Sequence, residues 1–300
     1  MADKRIRVKG FKGRAKQGIN PDMLALVLEL SYLQEKAELV GRISSWGIWT
    51  FQLRADLGEG EQDYFIKYFN KSERYRVALR KMFSRKGLRK PWRYPKQMLK
   101  FFFTGSLAKT GFETARKLLE KGILTAEPVA YLSRGRFVFQ REVLLTRKIP
   151  NVLGENLAEY LRELKEKDQA RFIQEKRRLI FALANLIARL RELDFFLPDL
   201  RITNILVEKP GEENFRLWVI DLAEARREKP KEEKLLYHLI ADPRRARLFT
   251  GTDKIRFLKH YLSFSGQDKS WVELCQKVQP ILENWWRKWY ERYSQAHKKS

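Results

Sequence analysis

The reading of this chain turns on Leu197-Pro198-Asp199-Leu200-Arg201-Ile202-Thr203-Asn204-Ile205-Leu206-Val207 and, after a Pro210-Gly211 turn, Leu217-Trp218-Val219-Ile220-Asp221-Leu222-Ala223. An acid is followed five residues later by Asn, and the Asn opens an apolar, strand-like run. A second apolar run then ends on another acid. Taken alone, Asp199 and Asn204 are ordinary loop and capping residues. With Asp221 in register they form a set with a shared chemistry. A carboxylate on a loop orients a hydroxyl and takes its proton. An amide oxygen and a second carboxylate are hard ligands that suit Mg²⁺.

The sequence around this stretch has a β-rich first half and an α-rich second half. Asp168 to Leu193 carries Phe172, Leu179, Leu183, Leu186, Ile187 and Leu190 at helical spacing, which predicts a long amphipathic helix. From Glu233 onward the pattern is again helical. In the first half, Leu39–Ser44, Ile48–Ala55 and Asp63–Tyr68 read as an antiparallel meander. Val129–Leu132 and Arg136–Glu142 read as two more strands across Ser133-Arg134-Gly135. Asn20-Pro21-Asp22 starts a helix that runs to Ala37, and Ser106–Gly122 predicts another. Residues 1–18 hold seven Lys/Arg and one acid and are expected to be a flexible basic arm. The expected lobes are then 19–142 and 143–300. In the third strand, Tyr64-Phe65-Ile66-Lys67-Tyr68-Phe69 sets one Lys among apolar residues. A gatekeeper on an edge strand explains such a lysine. So does a grip on phosphates, which needs a carboxylate to hold the lysine; Glu113 on the following helix is the candidate.

Composition narrows the classes. Of 300 residues 44% are apolar, which excludes a disordered polyelectrolyte. The longest apolar run, Leu179–Ala188, is about half of a bilayer span, so no transmembrane helix is expected. The N-terminal stretch has no apolar region of the signal-peptide kind, so no secretory signal is expected. A single Cys275 and scattered His238, His260 and His297 exclude a disulfide scaffold and a Cys-rich metal site. Against 37 acids stand 62 Lys/Arg, a formal charge of +25, so the expected partner is anionic.

The spacing Asp-Leu-x-x-x-Asn, then Asp, is that of kinase-like phosphotransferases. Order and content together resemble the lipopolysaccharide core kinases, the Kdo and heptose kinases with a protein-kinase-like fold. Ala108–Ala130 is similar to that family's Glu-bearing helix, ending here in Gly122-Ile123-Leu124-Thr125-Ala126-Glu127-Pro128. Phe139-Gln140-Arg141-Glu142 looks like its strand running into the hinge. Arg256-Phe257-Leu258-Lys259-His260-Tyr261 looks like its R-F-L-x-x-Y segment. The resemblance spans residues 38 to 262. It implies an α+β bilobal fold, with ATP and Mg²⁺ as cofactors. The acceptor it implies is a sugar hydroxyl of Kdo-lipid A or the heptosylated core, reached from the cytoplasm by a protein peripheral on the inner membrane face. Asp199 is then the catalytic base that activates the sugar hydroxyl. Arg201 stands where protein kinases carry Lys and neutralises the γ-phosphate. Asn204 and Asp221 hold the metal. Lys67, paired with Glu113, positions the phosphates under a loop bounded by Gly41 and Gly47. The backbone of Glu142 and Val143 meets the adenine. The chain departs from the kinase pattern in three places. Leu197 replaces the usual His, Leu222-Ala223 replaces Phe-Gly, and Gly41-Arg42-Ile43-Ser44-Ser45-Trp46-Gly47 is no G-x-G-x-x-G.

Residues 74–112 carry twelve Lys/Arg, no acid and eight aromatics, and read as an insertion that meets lipopolysaccharide phosphates or an anionic membrane surface. Trp285-Trp286-Arg287-Lys288-Trp289-Tyr290 is similar in kind, or a last helix buried on the core. Three alternatives stand beside the leading one. A small-molecule phosphotransferase shares the layout, but the +25 charge opposes cationic aminoglycosides as substrates. A protein kinase has little room for peptide docking between Ala223 and Lys234. A nucleic-acid-binding protein with a decayed kinase site fits the charge, yet no RNP, KH or zinc-finger signature is present, and no specific nucleic acid is expected.

Overall fold

The computed structural model describes residues 3–43, 47–83, 105–135, 139–211, 214–228, 248–268, 270–277, 279, 280, 283 and 287, with the side chains of 41–43, 74 and 81 excepted. It divides into two compact units: Met1–Lys121 with Ala126–Ile149, and Gly122–Thr125 with Pro150–Ser300.

The first unit is built on a seven-stranded antiparallel sheet. Its strands are β1 (Asp3–Val8), β2 (Phe11–Lys16), β3 (Glu38–Ile43), β4 (Ile48–Asp56), β5 (Glu61–Asn70), β6 (Pro128–Arg134) and β7 (Arg141–Arg147). They lie in the order β1-β2-β6-β7-β5-β4-β3. Residues 3–16, expected as a flexible arm, are instead a hairpin stitched to β6 through Lys12↔Ser133, Gly13↔Leu132 and Arg14↔Tyr131. The reason is alternation. Val8, Phe11 and Ala15 bury on one face while Arg5, Arg7, Lys12 and Arg14 project from the other. Lys9 and Gly10 both take positive φ (46° and 77°), the two-residue turn that matches strand twist.

That buried face carries the core, with Phe51, Leu53, Tyr64, Ile66, Leu132, Val143 and Leu145 meeting Leu24, Val27, Leu28 and Leu33. The last four come from two short helices, α1 (Pro21–Val27) and α2 (Leu30–Lys36), where one helix to Ala37 was expected. In a straight helix Leu33 would point away from Leu24, since nine residues make two and a half turns. The extended Glu29 (φ −88°, ψ 114°) breaks the helix and lets both leucines face the sheet. Helix α3 (Lys71–Met82) follows β5 directly, so the basic-aromatic stretch begins as a helix. Residues 84–104, with most of its bases and rings, lie outside the described residues. Helix α4 (Leu107–Glu120) buries Leu107, Ala108, Gly111, Phe112, Ala115 and Leu118 on the opposite face of the sheet, over β6 and β7.

The second unit holds β8 (Val152–Leu153), α5 (Leu157–Lys167), α6 (Gln169–Glu192), β9 (Phe195–Phe196), β10 (Ile205–Glu208), β11 (Arg216–Val219), β12 (Arg226–Arg227) and α7 (Gly251–Ser265). Helix α6 is the predicted long amphipathic helix, capped where Asp168 Oδ1 accepts the Arg171 N–H at 2.9 Å. It packs on α7, and the contact includes a buried ion pair, Lys176 Nζ to Asp253 Oδ2 at 2.7 Å. Residues 229–247 and Trp285, Trp286, Lys288, Trp289 and Tyr290 lie outside the described residues. No helix among the described residues is long and apolar enough to cross a membrane.

Candidate active site

Two small sheets hold the decisive loops of the second unit. Phe196 pairs with Arg226 and Phe195 with Arg227, so β9 and β12 clamp the entry of the first loop to the exit of the second. The β10–β11 hairpin pairs Ile205 with Val219 and clamps the other ends. Between the clamps, Leu197, Leu200, Ile202, Leu222 and Ala223 are buried. These apolar anchors leave Asp199 half-buried and Asp221 exposed. Leu197 and Leu222-Ala223, the departures from the kinase pattern, are thus the hydrophobic underside of both loops.

The register brings Asn204 and Asp221 to one end of the hairpin. Asn204 immediately precedes β10, Asp221 follows β11 by two residues, and the Ile220 N–H donates to the Asn204 carbonyl at 2.9 Å. The Asn204 Nδ2 donates to the Asp199 carbonyl at 2.8 Å and to its Oδ2 at 3.1 Å. With both amide protons drawn to Asp199, the Asn204 side-chain oxygen is the atom left to accept or ligate. Arg201 Nε meets Asp199 Oδ1 at 2.7 Å. Asp221 has left-handed backbone (φ 64°, ψ 57°), a conformation that costs a non-glycine residue about 1 kcal/mol and collects at functional turns. Asp199, Arg201, Asn204 and Asp221 therefore belong to one cluster of two adjacent loops.

In the first unit, Lys67 lies in the middle of β5 within a row that crosses the whole sheet: Gly41, Thr50, Lys67, Leu144, Tyr131, Arg14 and Arg5 are successive partners. Directly opposed residues share a face, so Lys67 stands on the face that α4 covers. Phe112 of α4 meets Tyr131 at 5.1 Å between ring centroids. Gly41 and Gly47 flank the β3–β4 connection, whose residues 44–46 lie outside the described residues. Gly47 has φ 59°, and its carbonyl accepts the Asn70 N–H at 2.8 Å.

Two expectations change here. Glu142 and Val143 do not offer backbone to an adenine, because β7 is an interior strand. Glu142 pairs with Phe69 on one side and Ser133 on the other, and Val143 with Tyr68 and Leu132. The chain leaves this ladder only after Lys148, whose N–H donates to the Asp63 carbonyl at 2.9 Å, near the Ile149–Pro150 boundary of the units. The Glu142 side chain is fully buried, and its Oε2 accepts the Ala108 N–H at 2.9 Å, at the first turn of α4. Burial pushes its carboxyl up, opposed by the Ala108 N–H, the nearby Lys71 and further groups at the helix start. Glu113, expected to hold Lys67, lies on the side of α4 away from the buried stripe and faces Lys109 at 3.9 Å. Glu142, from the sheet, holds the start of α4, which a spacing argument on the helix alone does not reveal.

No sequence among the curated proteins matches this chain. A solved structure titled "WaaP in complex with acyl carrier protein" is similar, with a TM-score of 0.58 at 22% identity over 86% of this chain and 89% of that one. That likeness carries the fold, a protein-kinase-like α+β arrangement. The sequence profile of the lipopolysaccharide kinase (Kdo/WaaP) family matches residues 49–261, which include Lys67, Asp199, Asn204 and Asp221. A match over more than two thirds of the chain, on top of the loop geometry above, places this protein in the lipopolysaccharide kinase (Kdo/WaaP) family, phosphotransferases that move phosphate from ATP to sugar hydroxyls of lipopolysaccharide.

Proposed function

We propose that the chain phosphorylates a Kdo or heptose hydroxyl of the lipopolysaccharide inner core at the cytoplasmic face of the inner membrane. The observation that carries this reading is the cluster in which one Asn side chain, hydrogen-bonded to Asp199, is held beside Asp221 by the β10–β11 register. Asp199 accepts the proton of the sugar hydroxyl as that oxygen attacks the γ-phosphorus, while the bond from that phosphorus to the β,γ-bridging oxygen breaks and ADP leaves. The Asn204 hydrogen bond keeps its carboxylate turned toward the acceptor. Arg201, now on Asp199 Oδ1, is long enough to swing to the γ-phosphate as charge builds there. Asn204 and Asp221 supply one amide oxygen and one carboxylate, a hard-oxygen pair that fits Mg²⁺ bound with nucleotide phosphates. The metal, when bound, neutralises charge on the β- and γ-phosphate oxygens. Lys67 positions the α- and β-phosphates. The adenine takes its hydrogen bonds from backbone beyond Lys148, whose own N–H is the last that the sheet takes up, on the Asp63 carbonyl. Phosphoryl transfer of this kind rests on positioning and charge neutralisation.

ATP consumption with Kdo-lipid A and with heptosylated core as separate acceptors tests the assignment and chooses between the sugars. Asp221→Asn should lower turnover by about three orders of magnitude or more with the fold retained. Near wild-type turnover of that variant at saturating Mg²⁺ and ATP removes the assignment.

A further inference from the structure

The face of the sheet that bears Lys67 ends, on the far side of α4, in a basic pocket. Its cavity of about 540 Å³ is lined by Arg5, Arg7, Lys12, Arg14 and Lys109, with the hydroxyls of Ser106, Ser133 and Tyr131. Strand register explains the convergence. Arg5 opposes Arg14 and Arg7 opposes Lys12, while Arg14 and Lys12 oppose Tyr131 and Ser133. Four cations of one hairpin are thus aimed to one side, two by two. Facing like charges destabilise a sheet unless something neutralises them. Among the described residues none of these four forms an ion pair, and no carboxylate lines the pocket. The one acid of the hairpin, Asp3, is taken by Arg116 of α4.

We infer that this pocket binds a phosphate-bearing anion, separate from the nucleotide. Forked guanidinium groups match phosphate oxygens two at a time, and the serine hydroxyls add neutral donors. The volume suits a headgroup or a phosphorylated sugar. Arg14 is three strands from Lys67, about 14 Å, and α4 stands over the strands between, so one triphosphate does not serve both. A Cβ on Gly13 would sit 1.8 Å from the Tyr131 carbonyl oxygen, so glycine is required for β2 to close on β6, the pairing that sets Lys12 and Arg14 beside Ser133 and Tyr131.

The test uses the full chain without nucleotide, so it does not depend on the kinase reading. The pocket variant is Arg5→Gln/Arg7→Gln/Lys12→Gln. A control, Arg162→Gln/Lys165→Gln/Lys167→Gln on exposed α5, removes the same charge elsewhere. The probes are inorganic pyrophosphate, read as a rise in melting temperature, and phosphatidylcholine vesicles with or without phosphatidic acid, read by flotation. Pyrophosphate without Mg²⁺ should raise the melting temperature of wild type and control clearly more than that of the pocket variant, which keeps the contacts at Lys67. Phosphatidic acid vesicles should bind the pocket variant about tenfold more weakly than the control. If both probes respond, phosphate suffices whatever carries it; if only vesicles respond, the ligand is a lipid headgroup. Equal losses in pocket and control variants, or a pocket variant that behaves as wild type with both probes, overturns the proposal. Without ligand the pocket variant should melt no lower than wild type, because it relieves facing charges.

Discussion

At the scale of single residues, Asp199 and Glu142 make opposite uses of a carboxylate. Asp199 is half-buried and accepts a hydrogen bond from Asn204, which orients its carboxylate. Asp199→Asn should lower kcat by about 10²–10⁴-fold while ATP affinity is kept, because a base acts in the transition state. Single-turnover kinetics beside equilibrium nucleotide binding checks this, and loss of ATP binding would place Asp199 on the nucleotide instead. Glu142 is buried against α4, and burial raises its carboxyl above the ordinary range. The folded state then holds the proton more tightly than the unfolded chain. Stability from this group is present below the unfolded pKa and is lost as pH rises through the folded one. Relative to Glu142→Gln, which keeps the oxygen facing Ala108, wild type should therefore lose melting temperature between acid and neutral pH. Parallel curves for the two proteins would show that Glu142 does not titrate in that window. Asp199, Asn204 and Asp221 were legible as a spaced set because loop chemistry leaves short-range signatures. Glu142 was misread because its partner, the start of α4, is 34 residues away.

At the scale of elements, α6 was legible to its caps, since a helix of 24 residues repeats its apolar stripe many times. The partner that holds it was not. Lys176 and Asp253 are both nearly fully buried, and hydrogen bonds from Lys176 and Thr250 hold the Asp253 carboxyl below its usual range against the upward push of burial. Lys176→Met leaves that carboxylate with Arg256 Nη1, at 2.9 Å from Oδ1, as its remaining cation, and should cost about 3 kcal/mol, measured by urea unfolding. Adding Asp253→Asn should recover part of the loss; an additive double variant would show that the two do not act as a pair. Of the strand expected at Arg136–Glu142, residues 136–138 lie outside the described residues, and the described strand runs Arg141–Arg147. Its ladder with Tyr64–Asn70 places Val143 and Leu145 in the core and Glu142 under α4.

At the scale of the whole molecule, the N-terminal hairpin separates a decoration from a structural strand pair. A basic arm could be removed without cost. A hairpin that buries Val8, Phe11 and Ala15 could not, and deleting residues 2–18 should destabilise the first unit by about 3–6 kcal/mol. Thermal unfolding of the truncated chain measures this, and an unchanged transition would return these residues to the role of an arm. The sequence by itself determined what depends on neighbours along the chain: the β-rich and α-rich halves, the long helix, the Asp-Asn-Asp spacing and the net charge of +25. Short-range periodicity and spacing survive whatever the rest of the chain does. Only the tertiary structure decided which strand lies beside which, and hence the row from Gly41 through Lys67 to Arg5, the burial of Glu142 and the gathering of the basic pocket. Strand pairing joins residues more than a hundred positions apart, and their meeting is set by the shared burial of one face of the sheet, which no local pattern encodes.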